Sequence, residues 1–111
     1  MRKFDYRAPR FPVNLPVRLT LEDETLVGRC REISTDGMKL EMAEALRVDA
    51  AGAVQITFRN VSLDLPIRVI RCGEGCDGVQ FVYGSDEEKD LVIQLISLLA
   101  DASHHPGPSL V

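Results

Sequence analysis

At 111 residues, with 45% hydrophobic and 27% charged side chains, the chain has the size and composition of one globular domain and is too apolar for wholesale disorder. A formal net charge of −4 argues against a general nucleic-acid or membrane-surface binder, which is usually basic. With no Trp and 5% aromatics, a base-stacking platform is also poorly supplied.

From residue 13 the pattern has period two: Val13, Leu15, Val17, Leu19 and Leu21 alternate with Asn14, Pro16, Arg18, Thr20 and Glu22, which predicts a half-buried strand. Pro12 and Pro16 place an edge or a bulge at its start. After the polar turn Glu22-Asp23-Glu24, a second and more polar strand is expected over Thr25–Ile33. Ser34-Thr35-Asp36-Gly37 reads as a tight turn in which Gly37 is free to take positive φ. Met38, Leu40 and Met42 mark a third strand, and residues 43–52 a connection.

Val54, Ile56 and Phe58 mark a fourth strand, with Arg59-Asn60 as a two-residue hairpin turn. Val61, Leu63, Leu65, Ile67 and Val69 alternate strictly as a fifth. A Gly-rich turn over 73–78 then leads to Val79, Phe81 and Tyr83 as a sixth. Six short strands at close intervals predict an antiparallel sheet closed into a barrel.

The period then changes. Ser85-Asp86-Glu87-Glu88 is a capping box with acidic residues in the first turn. Leu91, Val92, Leu95, Ile96 and Leu99 form one stripe of helical spacing. A helix over about 85–101 is expected to cover the barrel or its open end, the lesser alternative being a partner protein. The expected organisation is a basic N-terminal arm over 1–12, a barrel with its helix over 13–101, and a disordered tail over 102–111.

No apolar run reaches the roughly 18–20 residues that span a bilayer. Met1-Arg2-Lys3 is followed by Phe4-Asp5-Tyr6-Arg7 rather than by an apolar signal-peptide stretch. A cytoplasmic protein is therefore expected, without membrane insertion. Cys30, Cys72 and Cys76 are an odd set, which argues against a disulfide framework. Cys72 and Cys76 with His104 and His105 lack the recurring spacing of a structural zinc site, so no metal is expected. The two histidines sit in a Pro/Gly-rich tail, a poor place for a rigid catalytic base, and no convergent acid–base or nucleophile set is visible. No enzyme is expected.

The charge is uneven: residues 1–31 carry a balance of +3 and residues 32–111 a balance of −7. This leaves room for a small anion at the N-terminal end. Arg7 and Arg10 can fork onto phosphate or onto guanine N7 and O6; from composition alone they read first as a solvated basic arm, since surface arginines are ordinary. The stretch Glu32-Ile33-Ser34-Thr35-Asp36-Gly37 offers a carboxylate for guanine N1–H and N2–H, a hydroxyl for phosphate and a glycine for a sharp turn; in isolation it reads as a plain hairpin.

In this order the two motifs resemble the PilZ domain family, which carries RxxxR ahead of the first strand and [DN]xSxxG between strands two and three. The resemblance covers about residues 5–100, and includes Pro9-Arg10-Phe11-Pro12-Val13-Asn14-Leu15-Pro16-Val17, Gly78-Val79-Gln80-Phe81 and the helix start at Ser85. It implies an all-β, six-stranded antiparallel barrel capped by one C-terminal helix, no catalysis, and binding of the bacterial second messenger cyclic di-GMP. The ligand residues it implies are Arg7, Arg10, Glu32, Ser34 and Gly37, with Tyr6 and Asp36 in support. Two positions depart from the family pattern: Tyr6 stands where the first arginine belongs if Arg10 is the second, and Glu32 replaces Asp or Asn. The expected role is that of a stand-alone receptor whose N-terminal arm orders on the ligand and which signals through a partner protein. The alternative is a PilZ adaptor that works by protein contact without nucleotide. A small OB-like nucleic-acid binder is disfavoured by the acidic balance, so neither DNA nor RNA is expected as a partner.

Overall fold

The computed structural model describes residues 9–73 and 75–104. Six strands and a helix follow one another: β1 (Phe11–Leu21), β2 (Glu24–Ile33), β3 (Gly37–Met42), β4 (Ala51–Phe58), β5 (Val61–Gly73), β6 (Cys76–Phe81) and α1 (Asp86–His104). All pairings are antiparallel, and the order β1-β2-β3-β6-β5-β4 closes on itself as a barrel. The expected architecture is the observed one.

Alternation places one face of each strand inside the barrel. Leu15, Val17, Leu19 and Leu21 of β1 and Val61, Leu63, Leu65, Ile67 and Val69 of β5 are all buried in one shared core. The prolines of β1 lie where the strand has a neighbour on one side: pairing with β4 begins at Arg18, and the β1–β2 register shifts between Pro12 and Leu15. Pro12 borders the bulge and Pro16 lies beyond it on the same edge, before pairing with β4 begins, where prolines are tolerated. Phe58 pairs with Val61 across Arg59-Asn60, and Arg59 takes φ of 55°, the left-handed geometry of a two-residue hairpin turn.

Several boundaries shift. β1 starts at Phe11 rather than 13, so the last two residues of the expected arm belong to the sheet. β5 runs on to Gly73, and Tyr83 falls beyond β6. Helix α1 continues to His104, three residues past its expected end and into the expected tail. The expected tail over 105–111 and most of the expected arm lie outside the described residues.

The capping box forms with one change. The Glu88 amide donates to Ser85 Oγ at 3.3 Å, and Glu88 Oε1 accepts from the amide of Gly84 at 2.6 Å, one residue earlier than the usual partner. Val92, Leu95, Ile96 and Leu99 are buried, and α1 packs on β5 and β1. Leu91, expected in the stripe, is 39% exposed. It lies next to Val92 on the helix and so projects about 100° around the axis from it.

Cys30 lies fully inside the barrel, its Sγ donating to the Glu32 carbonyl at 3.1 Å, and burial pushes its thiol up to about 12. The thiolate is the reactive form. A thiol reagent at mildly alkaline pH is therefore expected to spare Cys30 in the folded protein and to modify Cys72, whose thiol is also raised, by desolvation and by Asp77, but which is exposed to the reagent. Labelling of Cys30 appears on denaturation; mass mapping of the modified cysteines checks this.

Candidate functional site

The link from β2 to β3 is held from within and from without. Ser34 Oγ accepts from the amides of Asp36 and Gly37 at 3.1 and 3.3 Å, and the Ser34 amide donates to the Gly37 carbonyl at 2.9 Å. A serine bonding its own turn is the reason this stretch folds so tightly. Two bonds arrive from the segment around the end of β6. The Phe81 amide donates to the Asp36 carbonyl at 2.9 Å, and the Tyr83 hydroxyl donates to the Thr35 carbonyl at 2.6 Å. Burial, followed by the charges of Asp36 and Glu88, pushes the Tyr83 hydroxyl up to about 12.

Gly37 is needed for a different reason from the one expected. Among the glycines of the described residues, only Gly75 has positive φ. At Gly37 a Cβ would collide with the main-chain oxygen of Val79. The glycine lets β3 lie close against β6, where Gly37 pairs with Gln80.

Beside this loop is a groove of about 260 Å³ on the outer face of the barrel. It gathers Arg10, Glu32, Ser34, Asp36 and Gly37, which come from the start of β1, the end of β2 and the loop into β3. Arg10 Nη1 stands 3.4 Å from Glu32 Oε1, with both side chains substantially exposed. Ser34 is buried and uses its oxygen twice as an acceptor, so its hydroxyl proton stays available for a ligand. Tyr6 and Arg7 lie outside the described residues.

Sequence reasoning missed four contributors. Lys39, Arg71 and Gln80 line the groove, and Tyr83 ties down its loop. With Lys39 and Arg71 included, three cations face two carboxylates, so a chain of net charge −4 presents a locally cationic groove. Lys39 was readable as an outward residue of β3; Arg71 was not, because a register shift between Val69 and Arg71 breaks the alternation of β5.

A family model described as "PilZ domain" matches residues 5–98. The chain belongs to the PilZ domain family. Its fold is similar to a crystal structure of the PilZ domain of CeSA from a cellulose-synthesizing bacterium, with a TM-score of 0.74 and 22% identity over 84% of this chain and 99% of that one. It is also similar to the Bacillus subtilis inhibitor of motility MotI/DgrA, with a TM-score of 0.69 and 10% identity over 95% of this chain and 55% of that one. A third similar structure is an uncharacterised Legionella protein, with a TM-score of 0.63 and 17% identity over 85% and 96% of the two chains. At these identities the likeness is one of fold. No curated protein sequence matches the chain.

In this PilZ domain Tyr83 acts on the groove through the loop. Tyr83→Phe removes one hydroxyl and leaves the Thr35 carbonyl without that donor, at an expected cost of about 1–2 kcal/mol. Denaturant unfolding reads that loss. Faster hydrogen exchange at the Asp36 and Gly37 amides would place it in the loop, whereas a global loss of packing would raise exchange throughout β5 as well.

Proposed function

We propose that this PilZ domain is a receptor for cyclic di-GMP that passes the signal to a partner protein. The observation that carries the reading is the convergence of Arg10, Glu32, Ser34, Asp36 and Gly37 on one groove. In the proposed complex the Arg10 guanidinium forks onto guanine N7 and O6 or onto phosphate. Glu32 accepts from a guanine Watson–Crick edge, and the Ser34 hydroxyl donates to phosphate. The Arg10–Glu32 ion pair is exposed, so parting it for the ligand costs about 1 kcal/mol or less. Ile70, 51% exposed at the groove wall, offers an apolar surface to a base.

The proposal extends to the segment ahead of β1. Arg7 there supplies a further guanidinium, with Tyr6 beside it, and binding draws the segment onto the ligand. The surface changed in this way is what the partner protein reads. The PilZ domain acts as a cytoplasmic receptor without catalysis of its own; among the described residues, no helix is long and apolar enough to cross a membrane.

Calorimetric titration with cyclic di-GMP tests the reading. Saturable binding is expected, and Arg10→Ala should weaken it by roughly 10- to 150-fold, the equivalent of about 1.5–3 kcal/mol for a charge-assisted bond. The melting temperature should stay nearly unchanged, since Arg10 is exposed. Tyr6 and Glu32, the two departures from the family motifs, favour a second reading in which the domain works by protein contact alone. Absence of heat with the parent protein would support that reading and contradict the first.

A further inference from the structure

The shift in β5 has a consequence for what the groove can hold. Val69 pairs with Val79 and Arg71 with Gly78, so Ile70 is an extra residue on the β5 side. Had the register continued unbroken, Arg71 would stand opposite Asp77, a position that is buried. The bulge instead puts Arg71 opposite Gly78 and returns it to the outer face. Such a one-residue insertion re-aims the side chains that follow it.

That placement completes a row across four strands. Arg71 of β5 pairs with Gly78 of β6, Gly78 with Lys39 of β3, and Lys39 with Glu32 of β2, which in turn faces Arg10. Three inter-strand spacings separate Glu32 from Arg71, about 14 Å. Between the two ends, Gly78 contributes no side chain. The Arg71 side chain runs over that opening: its Cβ, Nε and Nη2 stand 3.7–3.8 Å from where a Cβ of residue 78 would lie. The groove therefore has a guanidinium at each end, with Lys39 and the low floor at Gly78 between them.

Resting on the cyclic di-GMP reading, we propose that Arg71 is a further guanidinium contact for the ligand, supplied from within the barrel and gripping the end opposite Arg10. A groove with a guanidinium at either end suits an anion carrying two separated purine–phosphate halves better than a mononucleotide, which reaches one end at a time. Gly78 serves the same contact by leaving the space over which the guanidinium extends.

The test is a titration of the full chain with cyclic di-GMP at low and at high salt, in the parent, Arg71→Ala and Arg68→Ala. Arg68 lies on the same strand, is exposed and is not part of the groove, so its variant removes an equal charge without removing the contact. Arg71→Ala is expected to bind about tenfold more weakly, and its affinity should fall less between low and high salt than the parent's, because one screened ionic contact is gone. Arg68→Ala should stay within about twofold of the parent, since an exposed charge outside the contact is largely screened. Parent binding with Arg71→Ala indistinguishable from Arg68→Ala overturns the role of Arg71 and leaves the receptor reading standing. No binding by the parent overturns the receptor reading and this inference with it.

Discussion

Replacing Gly37 with alanine is expected to destabilise the domain by about 3 kcal/mol and to abolish ligand binding together with it. The added methyl meets the main-chain oxygen of Val79, and a main-chain atom paired into a sheet cannot swing aside as a side chain can. Relief requires β3 to move away from β6. That movement strains the Gly37–Gln80 and Met38–Val79 pairings and disturbs the loop that Ser34 and Phe81 hold. Denaturant unfolding measures the stability loss. A Gly37→Ala protein with parental stability would show that the two strands have slack at this point and that the glycine serves only the site.

The second large effect is in the core behind the same loop. Leu40 is fully buried on β3, next to the strand pairs that carry Lys39 and Gly37. Leu40→Ala removes its buried methyl groups and leaves a cavity, at a cost of about 3 kcal/mol, or roughly 12–24 °C in melting temperature for a domain of this size. If the groove binds cyclic di-GMP, the loss is recoverable by mass action. Ligand at about 100 times its dissociation constant adds ~2.7 kcal/mol to the folded state. Thermal melts of Leu40→Ala with and without cyclic di-GMP should differ by most of the original deficit. A melting temperature that does not respond to the ligand would argue against a built nucleotide site.

The barrel was legible because its alternation is regular. In β5 the period-two set from Val61 to Val69 points inward without exception, so the strand, its buried face and its place in a shared core all follow from hydropathy. The helix was legible for a similar reason, and its start more so than its end. Ser85 and Glu88 announce the first turn, whereas nothing in Asp101-Ala102-Ser103-His104 fixes where the last one stops. Leu91 was misjudged because an apolar residue beside a helical stripe looks like part of it until its rotation about the axis is considered.

The site was legible as far as its local motif goes. Ser34 and Gly37 stand out by their spacing, but the turn chemistry alone gave the wrong reason for Gly37, since the close approach of β6 is a contact between residues far apart in the chain. Arg71 and Tyr83 were hidden by the same kind of non-local fact. A bulge carries no clear mark in a single sequence, and one inserted residue changes the face of everything after it. Tyr83 continued the alternation of β6 on paper. In the fold it leaves the strand and reaches back to Thr35, 48 positions earlier.

In the proposed complex cyclic di-GMP lies on the outer face of the barrel across β2, β3, β6 and β5. A titration followed by amide proton–nitrogen NMR tests this placement most directly, because it reports the place of binding as well as its strength. Saturable shifts are expected, concentrated at Ser34, Asp36, Gly37, Lys39, Gly78 and Gln80, with Arg18 of β1 and Gln55 and Thr57 of β4, on the opposite side of the barrel, unmoved. Saturable shifts centred on that opposite side, or no shifts at any ligand concentration, would contradict it.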